Sequence, residues 1–142
     1  MTRREELLVL ADQRGYKVLE PPVDGTLDSV TIISPKGTKC IFQRQNGRRD
    51  PEINEGLSHE LGHCETDSFY TALCAPACIL RCEEIANRWA YRKMVPLHDL
   101  MEAIRDGETE PWQLAERLEV PEPMILRAVT YYMEALSVKI PK

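Results

Sequence analysis

Histidine is scarce in this chain, with three residues in 142. Aromatic residues make up only 6%, so a core must be built from Leu, Ile, Val, Ala and Met. No apolar run approaches the ~18 residues that a membrane-spanning helix needs. The opening Met1-Thr2-Arg3-Arg4-Glu5-Glu6 leads into no signal-peptide apolar stretch. These absences predict a chain that is neither membrane-inserted nor exported and works in the cytoplasm. No C-x-x-C pair occurs among the five cysteines, Cys40, Cys64, Cys74, Cys78 and Cys82. An odd count with no secretory signal predicts free thiols in a reducing compartment. Basic excess is missing too: 18 Lys and Arg stand against 23 Asp and Glu, a net charge of −5. That balance argues against bulk nucleic-acid binding.

What is present is an ordinary globular composition, 43% hydrophobic and 29% charged. It suits a single domain over residues 1–142 with a core of its own. Leu7, Leu8, Leu10 and Ala11 give the stretch from Arg3 to about Gln13 an apolar helical face, and Gly15 is placed to end it. Tyr16 to Leu19 alternates like a strand that Pro21-Pro22 stops. After a turn at Asp24-Gly25, Ser29–Ser34 and Lys39–Arg44 read as two strands of a hairpin around Pro35-Lys36-Gly37. Asp50-Pro51 predicts a helix start with Asp50 as the cap, and Ile53, Leu57 and Leu61 recur every fourth position after it. Further helices are expected from about Ala77 to Met94, Leu97 to Asp106, Pro111 to Leu118, and Glu122 to about Leu136. The predicted fold is therefore α+β: an N-terminal helix and a small β-sheet packed on a mainly helical core, with the C-terminal helices, about 97–136, in the same domain.

Two of the three histidines fall in His59-Glu60-Leu61-Gly62-His63, an H-E-x-x-H sequence on a predicted helix. Residues four apart share a helical face, so both imidazoles can address one point. Neutral imidazoles are good zinc ligands, and the Glu between them is placed to take a proton from water. A chance match in a chain this long is expected on the order of once in several hundred chains. Catalytic zinc needs a third protein ligand. His98 is one candidate, at the start of the following helix. Glu84 pairs with Arg88 at i,i+4 on a charged stripe that also holds Arg81 and Arg92. Glu83 instead lines up with Ala86, Asn87, Ala90 and Met94, an inward face on which a carboxylate needs a partner. Glu83 is therefore preferred as third ligand, and Asn87, one turn on, is placed to hold a ligand histidine from behind.

These residues resemble the ImmA/IrrE family of metallo-endopeptidases, whose pattern is H-E-L-G-H, then E-x-x-A-[D/N]-x-[F/W]-A, then an apolar pair and Pro. Here the corresponding residues are His59 to His63, Glu83-Glu84-Ile85-Ala86-Asn87-Arg88-Trp89-Ala90, and Met94-Val95-Pro96. The resemblance extends upstream to Gly15-Tyr16-Lys17-Val18 and downstream to Pro111-Trp112-Gln113-Leu114-Ala115. It implies a zincin-like core with a Zn2+ ion, His59, His63 and Glu83 as ligands, and Glu60 as general base. Small phage- and mobile-element members of that family cleave a partner transcriptional repressor, so the implied substrate is a helix-turn-helix repressor.

Peptide hydrolysis also needs stabilisation of the tetrahedral oxyanion, and Tyr70, shortly after His63, is a candidate donor. An extended substrate can add as a strand to the exposed edge of the hairpin. Cys74, Cys78 and Cys82 are spaced by four and are expected to be structural thiols, since buried cysteine acts as a small hydrophobe. The two C-terminal helices resemble a helix-turn-helix, but Glu110, Glu116, Glu119, Glu122 and Glu134 outnumber Arg117 and Arg127 there, against DNA binding. Three classes follow in order: a zinc endopeptidase, a zinc-bearing protein that binds a repressor without cutting it, and a DNA-binding regulator. Nothing in the sequence bears on oligomeric state.

Overall fold

A computed structural model describes residues 1–21 and 27–140. Within them the chain is α+β and mostly helical. Helix α1 (Arg3–Arg14) is followed by strands β1 (Lys17–Leu19), β2 (Ser29–Ile33) and β3 (Lys39–Gln43). Five helices come next: α2 (Asp50–Thr66), α3 (Pro76–Met94), α4 (Leu97–Arg105), α5 (Pro111–Leu118) and α6 (Glu122–Thr130). The turn expected at Asp24-Gly25 lies outside the described residues. Among the described residues no helix is long and apolar enough to cross a membrane.

Local chemistry accounts for most of these boundaries. Thr2 and Glu5 form a reciprocal capping box at the start of α1, and Gly15 leaves the helix at φ 77°, a conformation that costs glycine nothing. The hairpin forms as expected, with Thr31 opposite Ile41. What the sequence did not reveal is that β1 pairs with β3 in parallel, Val18 beside Ile41, so the sheet order is β1-β3-β2. Strand β3 is thus the covered centre, with Ile41 and Gln43 fully buried, and β2 is left on an edge.

Three expectations need correction. Arg49, not Asp50, is the N-cap of α2, because the Asp50 carboxylate is drawn away to Arg4 at 2.9 Å. The last helix is not α-helical to Leu136: from Tyr131 to Ala135 it widens into a π-helical turn. The cysteines of the 74–82 stretch are not buried. Cys78 is exposed and Cys74 and Cys82 are half-buried, because α3 starts at Pro76 and its first turns lie mostly at the surface.

The core joins both halves of the chain. Leu7 and Ala11 of α1 meet Leu57, Leu61 and Cys64 of α2, then Ala90 and Met94 of α3. Leu100, Leu114, Leu118, Met124, Ile125 and Ala128 continue the same cluster through α4, α5 and α6. The apolar faces of α5 and α6 are therefore used in packing. Tyr132 closes this end, its buried hydroxyl donating to the Val95 carbonyl at 2.8 Å.

Helices α2 and α3 approach backbone to backbone at Gly62. A methyl group there would collide with the Ala86 carbonyl oxygen and stand 3.1 Å from its Cα. Gly62 and Ala86 together set the spacing that presents α3 to the histidines of α2.

Candidate metal centre

The α-helical repeat places His59 and His63 one turn apart on α2, with Glu83 reaching them from α3. His59 Nε2 lies 2.7 Å from one Glu83 oxygen, and His63 Nε2 lies 3.4 Å from the other. The two Nε2 atoms are 3.1 Å apart. These three residues form a cluster able to hold a metal ion.

The far side of each ring shows what the near side carries. His63 Nδ1 is 2.6 Å from the Ser68 carbonyl oxygen, which can only accept, so Nδ1 holds the proton. His59 Nδ1 is 2.7 Å from Asn87 Oδ1 and donates in the same way. When neutral, both rings then direct Nε2 lone pairs at each other and at a carboxylate. Three electron-rich atoms converging this closely repel unless a cation lies among them. An ion with bonds of ~2.0–2.1 Å in tetrahedral geometry keeps its ligands roughly 3.3–3.4 Å apart, so the observed set needs to open by less than about 1 Å. The residues fit a zinc-type ion. Asn87 stands where the helix face predicts, holding His59 from behind.

Burial alone would raise the Glu83 pKa. The Tyr70 hydroxyl and, in their protonated form, the two neighbouring imidazoles outweigh it and hold the carboxyl below its ordinary range. Tyr70 donates to Glu83 Oε1, and that bond, with burial and the Glu83 charge, pushes its own pKa up to about 12. Tyr70 is therefore a committed donor at neutral pH. Its hydroxyl is engaged with Glu83, whereas the sequence suggested a partner among reacting atoms.

Glu60 is 7% exposed and lies on the same cleft. Thr31 Oγ1 donates to its Oε1 at 2.7 Å, and Ser29 Oγ donates to its Oε2 at 3.1 Å. The sequence reading did not identify these two residues. The signal was available in the alternation of Ser29 and Thr31 with Val30 and Ile32, which puts two hydroxyls on one face of β2.

Other candidates fall elsewhere. Glu84 is at the surface, paired with Arg88 at 2.7 Å. The side chain of His98 is 83% exposed and faces Glu102 at 3.7 Å. With Asp99 these form the second such cluster among the described residues, on the outer face of α4.

The candidate metal centre opens into a cleft of about 490 Å³ walled by β2 on one side and by Phe69 and Tyr70 on the other. Phe69 stacks on His63, ring centroids 6.1 Å apart. Beyond His59 a second hollow of about 520 Å³ continues past Asn87, Tyr91, Met124 and Arg127. The histidine–glutamate cluster therefore stands midway along a groove. The chain matches no family model, no curated protein and no solved structure.

Proposed function

We propose that this protein is a zinc-dependent endopeptidase with a zincin-like core, whose substrate is a helix-turn-helix transcriptional repressor of a phage or mobile element. The observation that carries the reading is the convergence of His59, His63 and Glu83 in a groove that also holds the Glu60 carboxylate. Zinc, when bound, supplies Lewis acidity that polarises a carbonyl and acidifies water. The chain's own residues do the rest. Glu60 accepts a proton from the attacking water and returns it to the leaving nitrogen. Ser29 and Thr31 hold that carboxylate in place, while Asn87 and the Ser68 carbonyl fix the orientation of the two imidazoles. A cytoplasmic location suits a repressor substrate, and the acidic α5–α6 pair favours a protein partner over DNA.

Substrate is taken as an added strand on β2. Asp28 and Ser34 bond to the β3 side through Arg44 N and Thr38 O, each at 2.8 Å. By the alternation of an antiparallel pair, Ser29, Thr31 and Ile33 then turn their peptide groups outward. Ile33→Pro removes one outward N–H and leaves the β3 ladder intact. It is expected to slow cleavage by about tenfold with zinc content unchanged, a loss of roughly 1.4 kcal/mol, near one hydrogen bond. Unaltered cleavage would exclude strand addition over this stretch.

The direct test is incubation of the zinc-loaded protein with candidate helix-turn-helix repressors, followed by mass spectrometry of the products. Cleavage at a defined bond, abolished by a chelator and restored by zinc, is expected. A second reading is favoured by the Glu60 hydrogen bonds, since both of its oxygens already have partners on β2. In that reading the protein holds zinc and binds the repressor without cutting it. Stoichiometric complex formation with an intact repressor would establish it.

A further inference from the structure

Where α2, α5 and α6 meet, the surface holds a hollow of about 660 Å³ that shares no residue with the groove around the histidines. Its walls are apolar: the rings of Pro51, Pro121 and Pro123, Ala115, Val120 and the Trp112 indole. Leu114, Ala115 and Leu118 carry α5 into the core. Trp112 is outside that buried set and stays 55% exposed. Glu52, Glu116 and Glu122 complete the lining with Arg49, and all four are exposed. A carboxylate suits the first turns of α2 and α6, which accounts for Glu52 and Glu122. The dipole does not account for Glu116, which lies in the last turn of α5, where a cation is favoured. Nor does it account for an indole left in water.

We propose that this hollow docks a basic segment of a partner protein, which lays a lysine or arginine side chain on the Trp112 indole within reach of Glu116. Trp112 and Glu116 are four apart on α5 and so share a face, one turn from each other. A cation is drawn to the electron-rich face of an indole, and here it meets a carboxylate alongside. The alkyl stem of either side chain covers the proline rings, as long basic side chains do on apolar surface.

Charge selects this occupant. The two cations of the α5–α6 pair are spent elsewhere: Arg117 is held by Asp106 at 2.9 Å and Glu108 at 3.2 Å, and Arg127 by Glu55 at 2.8 Å. Among the described residues, Glu52, Glu116 and Glu122 make no ion pair, with Arg49 or with any other cation. Three carboxylates against one guanidinium leave the lining with a net charge of −2. That field attracts a basic partner and repels the phosphates of nucleic acid or of an anionic membrane.

The test is isothermal titration of the full-length protein with a hexa-arginine peptide at low salt. It involves neither zinc nor cleavage, so its failure and failure of the peptidase reading are separate results. Saturable binding is expected, weakening as salt is raised. Trp112→Ala is expected to weaken it about tenfold, and Trp112→Tyr, which keeps an aromatic face, by no more than about threefold. Glu116→Gln and Glu122→Gln are each expected to weaken it about threefold. Glu134→Gln removes the same charge away from the hollow and is expected to leave the affinity at the wild-type value. Trp112, Glu116 and Glu122 are exposed, so the variants are expected to keep the wild-type melting temperature, measured alongside. No binding by the wild type, or wild-type affinity in Trp112→Ala, would overturn the proposal. Equal weakening by Glu134→Gln and Glu116→Gln would also overturn it, as attraction to overall charge. Salt-insensitive binding of hexa-proline in place of hexa-arginine would assign the hollow to a proline-rich segment instead.

Discussion

Glu83→Ala is expected to lose bound zinc, and Glu84→Ala to keep it at the wild-type level. The two carboxylates are adjacent in sequence but point in different directions. Glu83 meets both histidines, whereas Glu84 pairs with Arg88 in solvent. Removing Glu83 leaves two imidazoles and no anion, below the three protein ligands that a catalytic zinc site uses. Changes to outer hydrogen-bonding partners already cost roughly 10–100-fold in metal affinity, so loss of a ligand is expected to exceed about 100-fold. Metal content by mass spectrometry on the three proteins after zinc supplementation decides the matter. Zinc retained at one equivalent by Glu83→Ala would overturn the assignment. A wild type that takes up no zinc would overturn the metal centre itself. The same carboxylate makes a pH-dependent contribution to the metal-free fold. Its folded pKa is depressed, so that contribution is present above the unfolded value and is lost as pH falls through the lower, folded one.

Glu60→Gln is expected to lower peptide cleavage by roughly 10²–10⁴-fold, the usual range for loss of a general base, while zinc content and melting temperature stay near wild type. The substitution keeps shape and most hydrogen bonding. The carbonyl oxygen of the introduced amide would still accept from Thr31, and its NH₂ group can donate to the Ser29 hydroxyl, which accepts as readily as it donates. Only the basic oxygen pair is lost. Comparing cleavage rate, zinc content and melting together separates loss of chemistry from loss of structure. An unchanged rate would remove Glu60 from the proton-transfer role.

Much of the site was legible because it is written in helical periodicity. His59 and His63 share a face at any reasonable helix phase, and Glu83 was separable from Glu84 because one shares a face with Ala86, Ala90 and Met94 and the other with three arginines. Asn87 followed from the same phase. Tyr70 was visible as a polar aromatic near the motif, but its partner was not, since that depends on how residues 67–75 cross between α2 and α3. Ser29 and Thr31 were missed for a related reason: they lie 31 and 29 residues from Glu60 along the chain, and no local pattern encodes such a distance.

The sequence by itself determined the elements, the two motif helices and the chemical character of the candidate metal ligands. Those follow from interactions within about one helical turn or one strand pair, where spacing dictates geometry. Tertiary structure alone decided that β3 sits between β1 and β2, that β2 is an edge beside the cleft, and that α2 and α3 touch at Gly62 and Ala86. It also decided that Cys78 is exposed and that Cys74 and Cys82 are half-buried. Each of these depends on which apolar faces meet, and burial is a property of the assembled layers that no single segment carries.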